Sequence, residues 1–406
     1  MWSVGVHGRS SAFREQQRLV FAIGGGDNEG VEAMRRQVLL EMMTQQNCRA
    51  VMVDRLGDHD ALDAVRVALQ QACAENELLS RTHFAVVAST PTDCALEEMA
   101  ARVEQALETL QLQQLDVLLL RAQSLPGSSG IHARKQNVLG AWEHMMAIQQ
   151  AGLVQHIGVS DLSGQDVDFL LTAYPDNPPE AWSIILQLPG TTANAAGLDA
   201  PLEDVTAFAH AHGIDVLVRF PFGSLDGLEP QDLRDEWAAL THNLSERYRE
   251  RPFKFLVAHE NEGKTASYHI DSHALSDTKV LQTPLQIVAR YLLQKGLVVS
   301  PQEFYGLQRD DQDFIAEERT LREIFGPLAH PFAAIHPSCS PHTLFSSVLT
   351  RDDLAAIDRA LPWATSFPLP TPPRTPVSTT GRSRPGSRQE RRKNLPAVVS
   401  RPPTAD

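Results

Sequence analysis

Short runs of consecutive apolar residues alternate along this chain with longer stretches whose apolar residues recur every three or four positions. The runs at 19–23, 50–53, 84–87, 117–120, 154–159, 182–186, 214–218 and 297–300 are rich in Val, Ile and Leu, the pattern of strands buried on both faces. Between the first two, Val31, Met34, Val38, Leu39, Met42 and Met43 keep to one face of a helix over 29–46. Leu62, Val65, Leu69 and Ala72 do the same over 61–79. Asp93 is placed to cap a helix reaching about Leu112, and further helical patterns span 138–150, 164–174, 202–212, 284–294 and 351–361. Pro284 stands in the first turn of its segment, where its missing N–H costs nothing.

Eight strand–helix alternations at a period near ~40 residues predict a parallel sheet closed into a (β/α)8 TIM barrel. The alternative is an open doubly wound sheet. Gly24-Gly25-Gly26 does not favour it, because the GxGxxG spacing fails and no strand-end acid follows about 20 residues on. Residues 223–282 and 304–347 interrupt the rhythm as long insertions on the C-terminal face, where barrel sites lie. The barrel domain is expected over 1–361, and the Pro/Arg/Ser-rich tail, 362–406, is expected to be disordered.

Charge divides along the same boundary. The tail carries eight Lys+Arg against two acids, so it stands at +6, and the formal net charge of -14 leaves -20 on the remainder. A body so acidic is a poor nonspecific nucleic-acid binder. No run of about 18 apolar residues exists for a membrane span. The segment before Leu19 lacks an apolar signal region, and Cys48, Cys73, Cys94 and Cys339 show no CxxC pairing, so a cytoplasmic chain with reduced thiols is expected. His336-x2-Cys339-x2-His342 lacks a fourth ligand, and no metal is expected. Only six Lys occur, none before Lys135, and none of the five Tyr precedes Tyr174.

Several segments resemble the aldo-keto reductase superfamily in order and spacing: Leu115-Asp116-Val117-Leu118-Leu119-Leu120, then Gly152-Leu153-Val154-Gln155-His156-Ile157-Gly158-Val159-Ser160, then His212-Gly213-Ile214, then Thr283-Pro284 through Leu293. The resemblance implies an aldo-keto-reductase-type barrel. Reductases of that family use a Tyr as proton donor, a Lys that lowers its pKa, an Asp paired with the Lys and a His that orients the carbonyl. Carried over by position, those places hold Asp54, His59 for the Tyr, Ser89 for the Lys and Arg121 for the His. The tetrad is therefore degenerate, and no Tyr or Lys within residues 1–134 can repair it. Arg is not a tunable substitute for Lys, since its pKa stays high.

Ile157-Gly158-Val159-Ser160-Asp161-Leu162 resembles the signature of one non-catalytic branch, the regulatory (modifier) subunit of glutamate–cysteine ligase; ordinary reductases usually carry Asn-Phe after that Ser. Asp204-Val205-Thr206-Ala207-Phe208-Ala209 resembles the same branch. The resemblance implies a pseudoenzyme that forms a heterodimer with the catalytic subunit of that ligase and supports glutathione synthesis. It implies no required cofactor and leaves room for vestigial NADP(H) binding at Ser160, Asp161 and Gln187. The alternative is a divergent NADPH-dependent aldo-keto reductase in which His59 donates the proton.

Overall fold

The computed structural model describes residues 11–14, 17–23, 29–45, 48–121, 131–186, 200–219, 231–249, 257–259, 267–269, 284–300, 349–360 and 364–365. All belong to one unit, Met1–Pro370; the remaining Thr371–Asp406 lies outside the described residues, as do 304–347 and Gly24 to Gly26.

Eight parallel strands form the central sheet: β1 (Val20–Ile23), β2 (Ala50–Val53), β3 (Ala85–Pro91), β4 (Leu115–Arg121), β5 (Val154–Ser160), β6 (Ala181–Ile185), β7 (Asp215–Arg219) and β8 (Val298–Ser300). They pair in chain order. A parallel bridge from Leu19 to Val299, with the Val299 amide donating to the Arg18 carbonyl at 2.8 Å, joins the last strand to the first. The helices are α1 (Glu29–Gln45), α2 (His59–Glu75), α3 (Leu96–Leu110), α4 (Ile131–Gln150), α5 (Gly164–Ala173), α6 (Leu202–His212), α7 (Gln231–Arg249), α8 (Pro284–Gln294) and α9 (Arg351–Ala360). The architecture is the expected (β/α)8 barrel, not the open sheet.

Alternation along the strands sorts the core into two bodies. Val20, Ala22, Ala50, Met52, Ala85, Val87, Val117, Leu119, Ala181, Leu217 and Val298 fill the barrel interior. Their neighbours Phe21, Val51, Val86, Leu118 and Val218 point outward and pack with the helices. Gly158 is required by this filling: a Cβ there would stand 2.9 Å from both Ala181 Cβ and Leu119 Cδ2 and would overlap the Ala181 carbonyl oxygen.

Local signals set most helix ends. Asp58 caps α2 by accepting from the Ala61 amide at 2.9 Å, and Ser163 caps α5 through the Asp166 amide at 3.1 Å. Gly213 ends α6 in the left-handed region at φ 68°. Asp93 does not cap α3. The helix begins later, with Ala95 at its N-cap, and Glu97 and Glu98 answer the exposed first-turn amides through the dipole.

Two features extend the fold beyond the expected alternation. Ala12 and Phe13 join the interior cluster at the N-terminal end of the barrel. That segment is tied down by Asp215, whose Oδ2 accepts from Ser11 Oγ at 2.6 Å and from the Phe13 amide at 3.3 Å. Within the segment read as an insertion, α7 sends Trp237 and Leu244 into the main core, and Arg247 pairs with Asp353 of α9.

Gly158→Ala is expected to destabilise the fold by about 1–3 kcal/mol, as overpacking does; urea denaturation measures it. Burial raises the Cys48 thiol pKa to about 11. Native protein at pH 8 should therefore leave Cys48 unlabelled by a thiol reagent, with labelling appearing only on unfolding, as read by mass spectrometry.

Candidate functional site at the barrel mouth

The strands converge at their C-terminal ends on one mouth, and the inward alternation decides what lines it. Asp54 continues Ala50 and Met52; Ser89 continues Ala85 and Val87; Arg121 continues Val117 and Leu119. Around the other half, Ser160 follows Gly158, Ser183 follows Ala181, Arg219 follows Leu217 and Ser300 follows Val298. On or just beyond each strand from β2 to β8 an inward position of the apolar fill is thus followed two residues on by a polar one, although on β6 the residue level with Arg219 is Ile185. All but Arg121 are buried.

Charge organises this ring. Arg121 Nη1 donates to Asp54 Oδ1 at 2.9 Å, and the exposed Arg55 places Nε 3.5 Å from Asp54 Oδ2. Arg121 Nε also lies 3.7 Å from Asp161 Oδ2. Asp161 Oδ1 accepts from Arg219 Nη2, and Asp161 Oδ2 accepts from Ser160 Oγ at 3.2 Å. Asp54, Arg121, Asp161 and Arg219 therefore alternate in sign across the mouth, and each buried charge faces an opposite one.

The backbone holds Asp161 for this role. Its φ is 60°, in the left-handed region that non-glycine residues rarely adopt. Strand β6 fixes the turn from both sides: the Asp161 amide donates to the Ser183 carbonyl at 3.1 Å, and Trp182 Nε1 donates to the Leu162 carbonyl at 3.1 Å.

Three of the four degenerate tetrad positions meet here. Ser89 Oγ donates to the Asp54 carbonyl oxygen, while the Asp54 carboxylate faces Arg121. His59 stands apart. It opens α2, exposed, and among the described residues no hydrogen bond or ion pair joins it to Asp54, Ser89 or Arg121. Ser160 and Asp161 lie at the same mouth, whereas Gln187 lies outside the described residues. Sequence reasoning passed over Ser183, Arg219 and Ser300. Their signal was a single polar residue two positions after an inward apolar one, as in Val216-Leu217-Val218-Arg219.

Among the described residues of the mouth the side chains pair opposite charges, and no Tyr–Lys pair stands there. Among the described side chains, Tyr, Lys and Asp do meet elsewhere, outside the barrel. Tyr291 Oη donates to Asp358, and Lys295 Nζ lies 2.9 Å from the same carboxylate. Burial and the Asp358 carboxylate raise the Tyr291 pKa, the opposite of what a proton donor needs. That cluster fastens α8 to α9.

A nicotinamide carboxamide would need both a donor and an acceptor from the seat. The Ser160 proton goes to Asp161, and the Asp161 oxygens go to Arg219, Ser160 and the vicinity of Arg121. Ser160 and Asp161 as arranged serve one another and their arginines, while the carboxylate keeps acceptor sites and the guanidinium groups keep donors that such a group could meet. Among the described residues no group of His, Cys, Asp and Glu could hold a metal ion, and no helix is long and apolar enough to cross a membrane. Cys48, Cys73 and Cys94 are free thiols.

The chain shares its fold with solved aldo-keto reductases. One from Bombyx mori, in complex with NADP, gives a TM-score of 0.51 at 18% identity over 84% of this chain and 88% of that one. The aldose reductase from Schistosoma japonicum gives 0.51 at 14% identity over 84% and 87%. An aldo-keto reductase from a Medee basin deep-sea metagenome library gives 0.50 at 13% identity over 85% and 91%. At these identities the likeness is one of fold. No protein-family model and no curated protein matches the chain.

Asp54→Ala is expected to cost about 1–3 kcal/mol, because it removes the carboxylate that Arg121 Nη1 donates to. A double-mutant cycle with Arg121→Met in urea denaturation checks it, and a coupling energy near zero would show the pair to be incidental.

Proposed function

We propose that this chain is a non-catalytic regulatory subunit of glutamate–cysteine ligase, acting in the cytoplasm as a heterodimer with the catalytic subunit and activating it in glutathione synthesis. The observation that carries the reading is the role of Asp161. The motif Ile157-Gly158-Val159-Ser160-Asp161-Leu162 differs from the usual reductase sequence at this Asp, and the same residue pairs with Arg219 and lies beside Arg121. A change that turns a cofactor-facing amide into an internal ion pair fits a barrel retained for binding. Ser89 in the Lys position and the absence of Tyr and Lys before residue 135 support the same reading.

Activation needs only differential affinity. A subunit that binds the partner's more active state better than its less active state shifts that equilibrium, with coupling of about 1–3 kcal/mol in typical cases. Co-purification with the ligase catalytic subunit, followed by a ligase assay, tests this directly. Association with a several-fold gain in activity is the expected result; no association and no change in activity would sink it.

One observation favours the second reading, a divergent NADPH-dependent reductase: the Bombyx mori protein of the same fold was solved with NADP. In that reading His59 donates the proton. Carbonyl reduction that requires NADPH and disappears in His59→Ala would establish it; His59→Ala indistinguishable from wild type removes it.

A further inference from the structure

We infer that the barrel mouth is a carboxylate-binding seat that the chain fills with its own Asp161. The seat's geometry is that of a site for a planar anion. One oxygen of the Asp161 carboxylate accepts from Arg219 Nη2; the other accepts from Ser160 Oγ at 3.2 Å and lies 3.7 Å from Arg121 Nε. Arg219 is 2% exposed, so its charge is withdrawn from water, and the Asp161 carboxylate is one of the groups that answer it.

The donors around the carboxylate come from separate strands: Ser160 from β5, Arg121 from β4 and Arg219 from β7. Strand register sets where the backbone of each donor stands. Asp161 reaches the seat through a left-handed backbone conformation that β6 clamps through the Ser183 carbonyl and Trp182 Nε1. A residue held in a disfavoured conformation so that its carboxylate meets two guanidinium groups occupies a place that a free anion could take.

Two further groups mark the seat as polar beyond what Asp161 uses. Ser183 and Ser300 are fully buried, and among the described residues their hydroxyls have no hydrogen-bond partner. Ser300 is the register partner of Arg219, and Ser183 that of Ser160, so both border the residues that hold the carboxylate. The occupant class that follows is a small monocarboxylate, with two oxygens for the guanidinium groups and no bulk to displace the strands. This inference stands on the mouth alone and does not depend on the ligase reading.

Asp161→Gly tests it, since it removes the carboxylate and suits the φ of 60°. Full-length wild type and variant are melted in sodium formate and in sodium chloride at equal ionic strength. Formate at about 100 mM should raise the variant Tm by roughly 2–4 °C over chloride, saturably, and leave the wild type unmoved. Adding Arg219→Met to the variant should abolish the response. Equal formate responses in wild type and variant, or no formate effect on the variant, would overturn the inference. If Asp161→Gly does not accumulate folded, its refolding yield from urea is compared in the two salts. A yield that formate does not raise over chloride overturns it equally.

Discussion

A closed barrel has a fixed interior, and every inward side chain must share it with those of the other strands. Gly158 makes that constraint concrete, since the Ala181 carbonyl and Leu119 leave no room for a methyl group beside it. Because strands alternate strictly, the same constraint fixes which residues reach the C-terminal end facing inward. The apolar fill of Ala50, Met52, Val87, Leu119 and Leu217 is followed, at the same pitch, by Asp54, Ser89, Arg121 and Arg219. Packing below thus determines chemistry above.

That chemistry is one of mutual neutralisation. A reductase mouth needs groups poised to change protonation state as charge develops on a substrate. Here Asp54 and Asp161 are each paired with guanidinium groups, which donate hydrogen bonds and accept none. The Tyr–Asp–Lys cluster on the outer helices makes the contrast concrete. The residue types exist in the chain, but at Tyr291, Asp358 and Lys295 their polarity is reversed, with the hydroxyl held protonated by a carboxylate. Residue identity is no guide to role until the neighbours are known.

The barrel was legible in the sequence because parallel strands buried on both faces leave continuous apolar runs; the reading of 50–53 coincides with β2. Strand ends were less legible. The third run was read as stopping at Val87, yet β3 continues through Ser89 and Thr90 to Pro91. Polar residues that end an apolar run look like loop until register shows that they still pair. The same blind spot hid Arg219, just past the run at 214–218, whereas Ser183 and Ser300 lay inside runs read as strands and only their inward direction went unread. Helix α7 went unread because charged residues crowd it, although Trp237, Thr241 and Leu244 keep one face. His59 was brought to the mouth by spacing along the chain, whereas the Asp58 cap makes it the first residue of a helix, exposed to solvent.

Closure between Leu19 and Val299 has a consequence for synthesis. The outer edge of β1 has its partner in a strand made some 280 residues later, a separation that ribosomes cover in about 14–56 s at ordinary elongation rates. Throughout that interval a nascent chain presents Val20–Ile23 as an unpaired apolar edge, the kind of template on which other chains add. Asp215, which anchors Ser11 and Phe13 under the barrel, emerges only after β6. Closure of the barrel therefore waits for its last strand, and the length of that wait is set by the distance along the chain between Leu19 and Val299.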